Sequence, residues 1–183
     1  MNILFASDIH GSAAAARKLA EHVESFQPDR IVLLGDLLYH GPRNPLPQGY
    51  GPKEVAEVLN GFADRVMAVR GNCDAEVDQW MLNFPCLAEY ALLADGPSTF
   101  FLTHGHRPGL TPPDDLPPLA PGTVFVSGHT HVKVLKREGD IVFLNPGSIS
   151  LPKDDGAGFA TFDGQTLALR RFEDAAVIKD LCL

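Results

Sequence analysis

Asp8-Ile9-His10, Gly35-Asp36, Gly71-Asn72-Cys73-Asp74, Thr103-His104-Gly105-His106 and Gly128-His129-Thr130-His131 each follow an apolar run. Six of the seven histidines lie in or just beyond these segments. Read as one set, Asp8, His10, Asp36, Asn72, His104, His129 and His131 offer seven oxygen and imidazole-nitrogen donors. That number and kind suits two metal ions sharing one carboxylate. A single Asp-x-His would carry little weight, whereas five such segments in one chain point to a metal site. Asp36, alone after Gly35 at the end of a central strand, is the expected shared carboxylate.

Aspartate, asparagine and histidine are hard-to-borderline ligands that suit Mn²⁺, Fe²⁺, Co²⁺, Ni²⁺ or Zn²⁺. Calcium wants mostly oxygen, and no cysteine is needed as a ligand. Two such ions roughly 3.5–4 Å apart share a hydroxide that attacks a phosphorus or carbonyl centre in line. Metal-assisted hydrolysis is therefore the expected chemistry.

These donors need strand ends to hold them. Asn2–Ser7, Arg30–Leu34 and Arg65–Val69 read as buried strands. Ser12 caps a helix running to about Ser25, and Pro52 opens a second helix to about Phe62. Strand–helix–strand–helix–strand predicts a parallel sheet. Beyond Asn72 short strands are expected at Leu87–Leu92, Thr99–Thr103, Thr123–Ser127, Val132–Lys136, Ile141–Leu144, Gly158–Thr161 and Leu167–Phe172, mostly antiparallel. Tyr39–Pro52, with four prolines and three glycines, is a long loop, as is Arg107–Pro121. A two-sheet sandwich with outer helices accommodates both halves. Asp8, Asp36, Asn72, His104 and His129 each fall just past a strand's C-terminal end, where open α/β sheets bind ligands.

At 183 residues, with 45% hydrophobic and 21% charged residues, the chain is expected to be one domain over 1–183. A net charge of −8 makes a nucleic-acid polymer an unexpected partner. The start MNILFASDIH lacks the basic region of a signal peptide, no run is long enough for a membrane span, and Cys73, Cys86 and Cys182 read as reduced thiols. A cytoplasmic protein without a membrane partner is expected.

The five blocks, in this order, resemble those of the calcineurin-like metallophosphoesterases: D-x-H, then G-D, then G-N-[H/C]-[D/E], an isolated histidine, and G-H-x-H. FASDIHGS, VRGNCD, FLTHGH, GHTH and LNPGSIS are similar to a bacterial phosphodiesterase branch of that superfamily. The resemblance spans most of the chain and implies a four-layer α/β/β/α sandwich of two mixed sheets. It implies that Asp8, His10, Asp36 and His131 hold one divalent metal, and Asp36, Asn72, His104 and His129 the other, with manganese the usual ion. It implies hydrolysis of a small-molecule phosphodiester by a homo-oligomer, dimer or tetramer. A phosphomonoesterase or nucleotidase could use the same centre. Some proteins of this fold are non-catalytic scaffolds, typically with eroded ligands, but all seven donors are present here. A β-lactamase-like metallohydrolase would show H-x-H-x-D-H, which is not found.

Many members of the superfamily carry histidine where this chain has Cys73, as a proton donor or phosphate ligand. A thiol is a weaker donor, so Cys73 is either a poor substitute that slows turnover of basic leaving groups or a small residue packed under the site. In the long loop, the Arg43 guanidinium suits phosphate oxygens and the His40 imidazole could protonate a leaving group; both are read as catalytic candidates over a solvated-loop alternative. Asn145-Pro146-Gly147-Ser148 is a turn that could buttress the site. His106 and Asp74 stay open between roles beside the site and bland ones. His22 reads as a surface or core histidine. Trp80, Met81, Leu82 and Phe84 read as core or as a subunit contact.

Overall fold

Ile3, Leu4, Phe5 and Ala6 leave no polar face, and the strand they form, β1 (Ile3–Ala6), is buried on both sides. In the computed structural model, which describes residues 1–183, β1 sits inside a six-stranded mixed sheet. Helix α1 (Ala13–Phe26) follows, started by the Ser12 hydroxyl accepting from the Ala15 amide at 3.2 Å. Then come β2 (Arg30–Leu33), α2 (Pro52–Asn60) with proline in its first turn, and β3 (Val66–Ala68). β1, β2 and β3 are parallel, as the alternating pattern predicts.

The remaining strands are β4 (Tyr90–Asp95), β5 (Ser98–Thr103), β6 (Val124–Val126), β7 (Val134–Glu138), β8 (Ile141–Asn145), β9 (Gly158–Phe162), β10 (Thr166–Arg171) and β11 (Val177–Cys182). The first sheet runs β11-β10-β9-β1-β2-β3 and the second β4-β5-β6-β8-β7. Most pairings in this half are antiparallel, as expected, but β5, β6 and β8 are parallel neighbours. The long Arg107–Pro121 loop makes that possible, because it carries the chain back to start β6 beside β5 in the same direction. Two expected strands begin later than the apolar runs suggested, at Tyr90 and Val134. β11 was not expected. Its residues are almost all exposed, so it has no apolar alternation to reveal it, and antiparallel pairing to β10 holds it in place.

Three apolar layers tie the elements together. Leu4, Ala6, Ile31 and Leu33 face Leu19 and Val23 of α1 and Val55 and Leu59 of α2. Phe5, Val32 and Leu34 face Phe100, Leu102, Val124 and Leu144 across the sandwich. On the outer face of the second sheet, Phe101, Phe125 and Phe143 are covered by Leu110, Leu116 and Leu119. The proline-rich segment thus covers that face of the second sheet. No helix is long and apolar enough to cross a membrane.

Phe125 is fully buried and stacks on Phe101 at 5.4 Å between ring centroids. Phe125→Ala is expected to cost about 3–5 kcal/mol in denaturant unfolding. A loss under about 1 kcal/mol would mean that the proline-rich layer is not packed on this sheet.

Candidate metal centre

Parallel strands bring the donor-bearing loops to one edge. Asp8 and His10 follow β1, Asp36 follows β2 and Asn72 follows β3; His104 follows β5, and His129 and His131 follow β6. The first group hangs from one sheet and the second from the other. Backbone bonds stitch the loops: the Asp8 amide to the Gly35 carbonyl at 3.1 Å, His10 to Asp36 at 2.8 Å and Gly128 to His104 at 3.1 Å.

The loops hold an unfavourable backbone. Seven non-glycine residues have positive φ, and five of them are Asp8, His10, Asp36, His129 and His131, at 50–68°. Each such residue costs on the order of 1 kcal/mol, and such strain gathers at functional sites. Close approach adds a second constraint. A Cβ on Gly71 would collide with Asp36, and one on Gly128 with Ser7 and Asp8.

The donor atoms converge. Nδ1 of His10 faces the Tyr39 carbonyl at 3.0 Å, Nδ1 of His104 the Leu34 carbonyl at 2.6 Å, and Nδ1 of His131 the Leu151 carbonyl at 2.6 Å. A proton on each Nδ1 leaves Nε2 as a free donor pointing inward, the arrangement that metal-binding histidines adopt. Nε2 of His10 and of His131 are 3.1 Å apart. Asp36 Oδ2 lies 3.6 Å from His10 Nε2 and 3.5 Å from His104 Nε2, between the two groups of donors. Asp8 Oδ1 is 3.2 Å from His131 Nε2, yet it is buried with no hydrogen-bond partner. Asn72 Oδ1 reaches His104 Nε2 at 3.2 Å. Facing lone pairs beside a bare carboxylate oxygen fit a cation among these atoms.

Charge in the pocket runs the same way. Burial would raise Asp8, but the His10 and His131 imidazoles beside it hold its carboxyl well below the usual range. Burial would lower His104, but the adjacent Asp36 carboxylate, with Asp8 beyond it, raises it to about 9. The two carboxylates therefore draw positive charge inward, the field a divalent cation answers. His129 is lowered by burial and by the neighbouring His104.

Side chains behind the donors fix the loops. Asp74, left open in the sequence, accepts three backbone amides: Asp36 at 2.8 Å, Leu37 at 2.8 Å and Gly71 at 2.7 Å. Burial and the nearby Asp36 charge push its carboxyl up to about 6 against those three donors. Ser148 and Ser150 donate hydroxyls to the Asp8 carbonyl at 2.7 and 3.0 Å, and Asn145 donates to the Gly128 carbonyl at 2.8 Å. The Asn145–Ser148 turn does buttress the site.

The centre opens into a polar cleft of about 430 Å³ lined by Asp36, Arg43, Asn44, Asn72, His129, Thr130, His131 and Lys153. Arg43, a candidate from the sequence, is among these lining residues. Lys153 was missed, because an exposed lysine after a turn carries no signal until the Leu151–His131 bond brings it in. His40 does not line this cleft; its ring lies against Tyr39 at 4.7 Å and Tyr50 at 5.3 Å. The Cys73 amide donates to Asp36 Oδ1 at 2.7 Å, and its Sγ lies within 4.8 Å of the His10 and Asp36 donor atoms. His106 packs on His104 at 5.2 Å and His129 at 6.0 Å with Nδ1 buried and unpartnered, and burial pushes it down to about 4. His22 is a core residue, bonded to the Phe172 carbonyl at 2.7 Å and stacked on Phe159.

Asp74→Ala strands three buried amides and is expected to lower stability by roughly 3 kcal/mol or more, with Asp74→Asn recovering part of it. Thermal unfolding of the two variants checks this; equal losses would show that the amide bonds are not what Asp74 supplies.

The model of the calcineurin-like phosphoesterase superfamily domain matches residues 1–167. Phosphodiesterase YfcE of Escherichia coli K12 is 44% identical over 184 residues, covering 100% of this chain and 98% of that protein. A solved structure of the E. coli YfcE phosphoesterase superposes with a TM-score of 0.95 at 43% identity, covering 100% of this chain and 99% of that one. Zinc-complexed Vps29 from Entamoeba histolytica shares the fold at a TM-score of 0.66 and 21% identity, covering 100% of this chain and 98% of that one. The chain belongs to the calcineurin-like phosphoesterase superfamily.

Proposed function

We propose that this chain is a metal-dependent phosphodiesterase, a single metallophosphoesterase domain over 1–183 acting on a small-molecule phosphodiester. The observation that carries the reading is the convergence of inward-facing imidazole nitrogens on two buried carboxylates, one with a bare oxygen, at the floor of a wholly polar cleft. The 44% identical E. coli relative is named a phosphodiesterase, which favours a diester over a monoester. Asp8, His10, Asp36 and His131 would hold one divalent ion, and Asp36, Asn72, His104 and His129 a second, with manganese the proposed ion. When bound, such ions supply Lewis acidity toward phosphoryl oxygens and make water a nucleophile near neutral pH.

The chain's own residues do the rest. The planar Arg43 guanidinium and the Lys153 ammonium line the cleft and suit non-bridging phosphate oxygens. Asn44 and Thr130 add uncharged donors at its rim. Without an ion beside it, burial, with the Asp36 charge, pushes the Cys73 thiol up to about 12. It is a weak donor, and leaving groups must depart with little help from it. Three unpaired cysteines suit a reducing compartment, and we place the protein in the cytoplasm as a homo-oligomer.

After chelation and addition of Mn²⁺, bis(p-nitrophenyl) phosphate is expected to be cleaved with at least roughly tenfold higher kcat/KM than p-nitrophenyl phosphate. A preference for the monoester would favour a phosphomonoesterase or nucleotidase; no activity and no response to any divalent ion would remove the enzymatic reading. Arg43→Ala should lower kcat/KM on the diester by about 10–100-fold, and unchanged kinetics would take Arg43 out of the site. Cys73→His should raise activity on esters with basic alkyl leaving groups by roughly tenfold or more and on nitrophenyl esters less. Equal gains on both classes would sink the leaving-group argument.

A further inference from the structure

Against the polar cleft lies a second concavity of opposite character. It has a volume of about 370 Å³ and is lined mainly by apolar side chains, Leu38, Tyr39, Tyr50, Val77 and Met81, with Cys73, Lys53 and Asp78 among the rest, a size that suits part of a small ligand. Tyr39, Tyr50, Val77 and Met81 stay 36–53% exposed, turning apolar surface into one hollow instead of the core. Trp80, at 84% exposure, stands beside them in the chain.

The pocket is joined to the metal centre through two of its own walls. The Tyr39 carbonyl faces His10 Nδ1 at 3.0 Å, and the Cys73 amide binds Asp36 Oδ1 at 2.7 Å. Cys73 lines the pocket, and its Sγ lies within 4.8 Å of the His10 and Asp36 donor atoms. The walls are set in place. The Tyr50 ring lies over Gly11, where a Cβ would strike it, and Tyr50 bridges to Ser12 through the backbone. The His40 ring packs on both tyrosines, which gives it a positioning role outside the polar cleft.

A phosphodiester has the same two-part character: a charged phosphoryl group and uncharged organic arms. We infer that the pocket walled by Tyr39, Tyr50, Val77 and Met81 receives an aromatic ester arm of the substrate, which crosses the Cys73 thiol while Arg43 and Lys153 face the phosphoryl oxygens. The inference rests on the phosphodiesterase reading and adds to it a substrate class, aryl or similarly flat apolar esters. Stacking on tyrosine and burial against methionine and valine supply the selectivity.

The test measures inhibition of Mn²⁺-supported bis(p-nitrophenyl) phosphate hydrolysis by diphenyl phosphate, dimethyl phosphate and inorganic phosphate. Diphenyl phosphate should inhibit roughly tenfold more tightly than dimethyl phosphate, as expected for one buried ring. A Val77→Ser/Met81→Ser variant should shrink that advantage to about twofold, and Ala75→Trp, which fills the hollow, should abolish it, while the inorganic phosphate constant shifts by no more than about twofold in either. Equal inhibition by the two diesters in the unmodified protein, or an advantage that survives both variants, overturns the pocket assignment alone. Absence of any diester hydrolysis overturns the phosphodiesterase reading and this inference with it. Equal inhibition together with a smaller sedimenting mass for Val77→Ser/Met81→Ser would instead make this face a contact between copies of the chain, which also overturns the inference.

Discussion

Two carboxylates, Asp8 and Asp36, are buried almost completely with their oxygens in one small cluster around His104. Like charges removed from water and pressed together repel strongly, and a fold keeps them only if positive charge lies close by. Much of the local structure follows from that constraint. Three imidazoles aim Nε2 inward, and five donor residues accept left-handed backbone to reach their places. A third carboxylate, Asp74, would worsen the repulsion if it faced the centre. It is turned instead onto three amides, where it clamps the loops after β2 and β3.

The loop from Tyr39 to Gly51 shows how a proline-rich segment can be ordered outside the sheets and helices. Its Gly49 carbonyl accepts the Ala13 amide and its Gln48 carbonyl the Ser12 hydroxyl, at the first turn of α1. Asn44 folds back onto the His40 carbonyl at 2.8 Å. One end of the loop orients His10, its middle carries Arg43 to the cleft, and its tyrosines wall the apolar pocket. Fixed φ at the prolines lowers the entropy lost in holding these positions.

Much of this was legible in the residues. The apolar runs ended where the strands end, Ser12 and Pro52 marked the helix starts, and the donor segments fell past parallel strands that meet at one edge. What stayed hidden depends on tertiary approach. β11 is exposed and gains its place only from β10. The parallel β5, β6 and β8 look no different in sequence from antiparallel strands. Asp74 read equally well as a helix cap, because its three partners come from two separate loops. Lys153 is an exposed lysine until Leu151 meets His131. His40 looked like a proton donor by type, and its placement between two tyrosines could be seen only once the loop had folded back on α1.

The donors divide between the sheets, with Asp8, His10, Asp36 and Asn72 on one and His104, His129 and His131 on the other. Hydrogen bonds already cross that seam at this edge, from His104 to the Leu34 carbonyl, from Ser148 and Ser150 to the Asp8 carbonyl and from the His129 amide to Asp8 Oδ2. An ion held by residues from both sides would act as a rivet through the sandwich. Loading the centre would then stiffen the junction between the two sheets beyond what these hydrogen bonds and the apolar packing supply. Metal occupancy and the rigidity of the scaffold would be one variable, set by the same few atoms.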